Sequence, residues 1–186
     1  MTKPKRRFFR IFVFLLILVL LVPALSYIIK WWYPLKYEDA VTKTAEEFGL
    51  EPSLVYAVIH TESKFDPNAV STANAKGLMQ ITDDTYRWAQ KRAGEEESTP
   101  DDLFDPKFNI RCGTYILVLL SEQFENTETV LAAYNAGQGR VQEWLENPDY
   151  SDDGVTLKQI PYEETAEYIR RVLNTQKRYQ QIYSIQ

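Results

Sequence analysis

Residues 52–63 read PSLVYAVIHTES, and this stretch decides the architecture. Pro52 suits the first turn of an α-helix, because the N–H it lacks is one that a helix start leaves unbonded anyway. Leu54, Val55, Val58 and Ile59 follow at three-and-four spacing, the stripe a helix turns toward a core. The helix should end at about Ser63, which puts Glu62 on its last turn. A carboxyl placed there can be partly buried and still reach a cleft. Burial disfavours the ionised form, and the negative end of the helix dipole pushes the same way, so its pKa should rise. A carboxylic acid that keeps its proton near neutral pH is what general-acid chemistry requires.

The pattern stays helical on both sides of this stretch. Upstream, Tyr37, Ala40, Val41, Thr44, Ala45 and Phe48 share one face, and Gly49 supplies the stop. Downstream, Asp66-Pro67-Asn68, Ser71 and Gly77 are turn formers, so Lys64 to Met79 reads as an ordered loop with room for a short hairpin. Thr82 caps a third helix that runs to about Arg92. Gly94 to Asp105 is acidic and broken by Pro100, which predicts a solvated surface loop. Asp105-Pro106 then opens an apolar helix with Ile110, Thr114, Leu117, Val118 and Leu120 facing inward, expected to be the central core element. Further helices are expected at about 127–136, 139–147 and 161–182. With no strand-like alternation, internal repeat or low-complexity tract, residues 37–186 read as one all-α domain.

Residues 11–29, IFVFLLILVLLVPALSYII, carry no charge, and as a helix they would be about 28 Å long, enough to span the hydrocarbon core of a bilayer. Lys3, Lys5, Arg6, Arg7 and Arg10 precede the run, and Tyr27, Trp31, Trp32 and Tyr33 stand where an aromatic belt would meet the far interface. That asymmetry predicts a cytoplasmic N-terminus and a domain held outside the membrane. A buried core helix is one alternative. A cleaved secretory signal is another, since Val22 and Ala24 form a passable cleavage site before Leu25. The apolar run continues past that site, which favours an uncleaved anchor. No cysteine ends the run, so acylation there is excluded. The expected organisation is a basic segment at 1–10, a transmembrane segment at 11–29, a linker at 30–36 and the helical domain at 37–186.

The formal net charge is −5, and no acidic residue precedes Glu38, so the domain itself is distinctly acidic. Such a surface gains nothing from the counterion release that drives nucleic-acid binding, which excludes that class of partner. Cys112 is the only cysteine and His60 the only histidine, so no intrachain disulfide forms and most zinc sites are ruled out. Cys112, among Ile116, Leu117 and Val118, is expected to be a small buried apolar residue. His60 lies two positions from Glu62, on another helix face, and should play no catalytic part.

Glu62 gains meaning from two further segments. Gly77-Leu78-Met79-Gln80 follows the loop, and Ala133-Tyr134-Asn135-Ala136-Gly137 closes a helix, with Gly139 and Trp144 beyond. Gln80 and Asn135 can exchange hydrogen bonds with hydroxyl and acetamido groups. Met79 and Tyr134 offer apolar faces, and the glycines allow close backbone approach. Together these are the side chains of a sugar-binding cleft.

Four ordered pieces carry a resemblance: HTESKFDPNAVS at 60–71, GLMQIT at 77–82, AYNAGQGRVQEWL at 133–145 and IPYEETAEYIRRVL at 160–173. Over roughly residues 37–180 the chain resembles the soluble lytic transglycosylases, peptidoglycan-cleaving enzymes whose fold is similar to goose-type lysozyme. The resemblance implies a lysozyme-like fold, bacterial glycan strands as substrate, Glu62 as the catalytic acid and base, and no metal or organic cofactor. It places substrate contacts at Gln80, Tyr134, Asn135 and Tyr168; Met79 joins them by its apolar face, and Ser63 either orients the substrate or Glu62 or caps the helix end locally. Two departures touch loop detail: Asn74 stands where many members have glycine, and Asp83 where proline is frequent. A lysozyme-like hydrolase would need a second acid, for which Asp66, Asp83 and Glu163 are nearest in sequence. An idle wall-binding scaffold for an envelope assembly is the third reading.

Overall fold

The computed structural model describes residues 3–94 and 98–185, with side chains from residue 9 onward. The start of the expected basic segment and Glu95 to Glu97 of the acidic loop lie outside the described residues. The chain divides into two compact units, one ending at Pro34 and the other beginning at Leu35.

The first unit is a single helix, α1 (Lys3–Trp32), with Pro23 inside it. Its 24 residues Phe9–Trp32 are long and apolar enough to cross a membrane, a longer span than residues 11–29. Phe12, Val19, Leu20 and Leu25 are all exposed, which disagrees with the core-helix alternative.

The second unit is all-α. It comprises α2 (Glu38–Phe48), α3 (Pro52–Glu62), α4 (Asp83–Ala93), a 3₁₀ turn at Pro100–Phe104, α5 (Pro106–Gln123), α6 (Thr127–Ala136), α7 (Gln138–Glu146) and α8 (Glu163–Tyr183). The expected punctuation acts as read. Gly49, at φ 68, closes α2 in the left-handed conformation that glycine adopts without strain. The side chains of Thr82 and Asp105 accept hydrogen bonds from the amides of Thr85 and Phe108 at the starts of α4 and α5, and Asn126, which the sequence reading did not single out, does the same for Thr129 at the start of α6.

Two expectations need correction, while the central place expected of α5 stands: it packs against α2, α4, α6 and the 3₁₀ turn. Helix α3 is buried without a break from Ser53 to Ile59, with α8 along one side and α2 along another. A helix wrapped this fully is apolar all round instead of amphipathic. In α5 the inward face carries Asn109, Ile110, Gly113, Thr114, Ile116, Leu117, Leu119 and Leu120, and Val118 is only half-buried. The acidic loop, finally, contains the 3₁₀ turn. Asp102 reaches back to the Thr99 amide at 2.7 Å, Pro100 fixes the first turn, and Leu103 is fully buried.

Residues 63–82 form an ordered segment without a regular hairpin. Isolated antiparallel bridges join Val70 to Lys76 and Lys76 to Ile81. Four non-glycine residues here adopt left-handed conformations: Lys64 (φ 52), Phe65 (φ 66), Asn74 (φ 58) and Gln80 (φ 48). Each costs of order 1–3 kcal/mol, a strain that surrounding structure must hold in place and that clusters at functional sites. At Asn74 the left-handed geometry is one that glycine would adopt without strain and that asparagine tolerates. Asp83 sits where a proline would start α4; it is ion-paired instead with Lys76 at 3.0 Å.

Candidate active site

The end of α3, the 71–82 segment, α4, α5, the α6–α7 corner and the start of α8 enclose a cleft of about 710 Å³. That is within the range of small-molecule and oligosaccharide sites. Glu62, Gln80, Tyr134 and Asn135 all lie on its wall. They come from three separate elements, and the sequence separations between them are closed by packing alone.

Burial pushes the Glu62 carboxyl from its ordinary value of 4.5 up to about 7. The Tyr168 hydroxyl, and more weakly the positive charge of Arg171, hold it partly back. Tyr168 is buried and rises from α8 beside Glu62, on an alignment looser than a regular hydrogen bond; its hydroxyl has no better partner. The phenol therefore stands where it can stabilise the carboxylate without locking it in that form.

The polar groups of the wall are pre-oriented. Gln80 donates both amide protons to backbone, to the Ala69 carbonyl at 3.1 Å and the Gly77 carbonyl at 2.9 Å, which leaves its Oε1 as an unused acceptor. Thr165, buried at the start of α8, donates to Asn135 Oδ1 at 2.8 Å, which leaves the Nδ2 protons of Asn135. One acceptor and one donor thus remain for a ligand. Tyr134 donates its hydroxyl proton to the Met79 carbonyl at 2.8 Å. Burial, with the Glu62 carboxyl next, raises the pKa of this phenol well above its usual value.

Ser63 and Met79 are near the site without lining it. The Ser63 hydroxyl donates to the Leu78 carbonyl at 2.7 Å, which ties the end of α3 to the next segment. The Met79 side chain is fully buried against Gly113 of α5, and only its backbone serves the wall. His60 packs edge-on against Phe65 and Tyr179, with centroids at 6.2 and 6.3 Å. Cys112 is half-buried, not sealed in the core as expected, because α5 turns Gly113 and Thr114 inward and leaves it on the flank. It lines a separate cavity of about 220 Å³ with Phe48, Tyr86, Phe108 and Tyr115.

Asp66, Asp83 and Glu163 are absent from the cleft wall. Asp66 accepts from the Asn68 amide at 2.9 Å, and Glu163 is exposed on the first turn of α8. The wall instead includes Asp84, Thr85, Trp88, Gln138 and Glu164, which sequence reasoning did not select. Asp84 and Trp88 stand one turn apart on α4, with Thr85 between them and the side that buries Tyr86 and Ala89.

The helical architecture around this cleft places the domain in the lysozyme-like fold class. The family model described as "Transglycosylase SLT domain" matches residues 39–155, and the chain belongs to that family. A soluble lytic murein transglycosylase of Salmonella typhimurium is 35% identical over 144 residues, covering 76% of this chain and 22% of that protein. A membrane-bound lytic murein transglycosylase C of Edwardsiella ictaluri is 34% identical over 173 residues, covering 79% of this chain and 47% of that protein. Among solved structures, the 70 kDa soluble lytic transglycosylase of Escherichia coli superposes with a TM-score of 0.72 at 31% identity, covering 82% of this chain and 25% of that one. An inactive mutant of lytic transglycosylase Slt from Pseudomonas aeruginosa gives 0.70 at 30% identity, covering 83% and 25%. The chain therefore spans about a fifth to a half of the length of these curated relatives.

Proposed function

We propose that the domain is a peptidoglycan lytic transglycosylase in which Glu62 acts alone, first as acid and then as base. The observation that carries this reading is the Glu62 carboxyl on the cleft wall, with its pKa raised by burial to about 7. It holds a proton under neutral conditions and releases it without a large penalty, which suits a group that must do both.

Glu62 protonates the glycosidic oxygen between N-acetylmuramic acid and N-acetylglucosamine, and the C1–O bond breaks toward an oxocarbenium-like centre that the substrate's own acetamido group stabilises. The acceptor of Gln80 and the donors of Asn135 are complementary to the N–H and C=O of such an acetamido group. The carboxylate formed at Glu62, eased by the Tyr168 hydroxyl, then takes the proton of the muramoyl C6 hydroxyl. That oxygen attacks C1 and closes a 1,6-anhydro ring. Glu62 ends protonated, and no water is consumed. An intramolecular nucleophile held at the reacting carbon supplies the effective concentration that makes this path competitive.

Most glycosidases place a second carboxyl across the bond. Asp84 and Glu164 lie on the cleft wall and favour, as a second reading, a hydrolase in which one of them activates water. Product analysis separates the two. Digestion of purified sacculi should release muropeptides with non-reducing anhydro ends, one water lighter than a hydrolase product and inert to borohydride. Reducing ends that carry oxygen from labelled water would overturn the transglycosylase reading.

Helix α1 is assigned as an uncleaved membrane anchor with its N-terminus in the cytoplasm and the catalytic domain outside. The reading is supported by the apolar span Phe9–Trp32 and by similarity to relatives named as membrane-bound. The partners that follow are peptidoglycan glycan strands and the cytoplasmic membrane.

A further inference from the structure

Asn109 is fully buried on the first turns of α5, with both amide protons and its carbonyl oxygen hydrogen-bonded. Its Oδ1 accepts from the Met79 amide at 2.8 Å, and its Nδ2 donates to the Lys76 carbonyl at 3.0 Å and the Leu103 carbonyl at 2.8 Å. Two carbonyl partners fix which end of the amide is nitrogen. One turn along the same face lies Gly113. A Cβ there would stand 2.4 Å from Met79 Sδ and 2.9 Å from Met79 Cβ. Asn109 and Gly113 thus form a socket, four residues apart on α5, into which Met79 plugs with its backbone gripped and its side chain sealed. Gly77 completes the fit, since a Cβ on it would meet Asn109 Nδ2 and the Leu103 carbonyl at 2.3 Å.

The free side of Met79 is its carbonyl, which accepts the Tyr134 hydroxyl at 2.8 Å. The chain of contacts therefore runs from α5 through one backbone unit to a cleft-wall phenol of α6. A buried amide is costly unless fully bonded, and an apolar side chain of similar size would fill the same space. What Asn109 adds is geometry. We propose that Asn109 is a positioning residue of the catalytic cleft: it fixes the Met79 backbone, and so the placement of the Tyr134 phenol on the wall that carries Glu62. This rests on the reading of Glu62 as the acid and base.

The test uses the full chain and three substitutions. Asn109→Asp is nearly isosteric, but when ionised it has no proton for the Lys76 and Leu103 carbonyls. Expected is a tenfold or greater fall in kcat at neutral pH, of the size about 1 Å misplacements produce, with KM little changed. Activity should be partly regained at acid pH, where the introduced carboxyl is protonated and can donate again. Tyr134→Phe removes the same relay from its other end, so the double variant should be no slower than the slower single one. Wild-type kcat in Asn109→Asp, or losses that multiply in the double variant, would overturn the proposal. Gly113→Ala disturbs the socket without adding charge, and serves if Asn109→Asp does not fold. Its kcat should also fall, and the Glu62 midpoint followed by carbon-13 NMR should drop from near 7 toward ordinary carboxyl values as the wall loosens. An unmoved midpoint with unchanged kcat would refute it. The NMR measurement needs no turnover. If the wild-type protein cut no glycan, the functional reading would fail, while a shifted midpoint would still uphold the positioning.

Discussion

At the scale of single residues, the role proposed for the Glu62 carboxyl sets the expected activity and part of the expected pH dependence. Glu62→Gln keeps the shape and removes the transferable proton, so cleavage of sacculi should fall by at least 10³-fold, an order of magnitude at which general acid–base contributions are lost together. Retention of a tenth of wild-type turnover would exclude Glu62 as the sole acid and base. Stability should respond in the opposite sense. The folded-state pKa of about 7 lies above the ordinary 4.5, so ionisation is harder in the fold than in the unfolded chain. Stability is therefore fully present below pH 4.5 and declines as pH climbs through 7. The Gln variant lacks this penalty. Its Tm should exceed the wild-type value at pH 8, and the two should converge at pH 4.5. The alkaline limb of kcat/KM has the same origin: activity should fall as pH rises through about 7, and a rate still climbing between pH 7 and 9 would contradict the assignment.

At the scale of elements, the cleft wall depends on turns that tolerate little change. Gly77→Ala would place a Cβ against Asn109 and the Leu103 carbonyl and would impose a side chain on a φ of +72°. We expect a loss of about 1–3 kcal/mol in denaturant unfolding, by the cost of such strain. Thr82→Ala should cost about 1 kcal/mol through loss of the α4 cap alone. The helices were legible in the sequence because their signals are local: Pro52, Gly49, Thr82 and Asp105 each act on neighbours within one turn. The wall residues Trp88, Asp84 and Glu164 were not, since each looks like an ordinary exposed position until α4 and α8 are packed around Glu62. Met79 shows the reverse error. Its type suggested an apolar contact for sugar, but Gly113, which lies 34 positions on and leaves room for its thioether, draws it into the core.

At the scale of the whole molecule, the chain joins an apolar helix to an acidic catalytic unit, and the proposed orientation is testable in cells. In cells stripped of their wall, protease added outside should digest the domain and spare the first residues, and detergent should be needed to extract the intact protein. A domain fully protected in sealed cells would reverse the orientation. Another consequence concerns oxidants. The Met79 sulfur is fully buried against Gly113, and a sulfoxide would put a polar, chiral group where none fits. Peroxide can reach that sulfur only when the wall lifts from α5, so the rate of Met79 oxidation measures how often this part of the protein opens. Bound glycan should slow the oxidation, and each oxidised molecule should be left with an open wall and little catalytic power. A chain with one cysteine and no disulfide would then have its point of oxidative inactivation in a thioether behind its cleft.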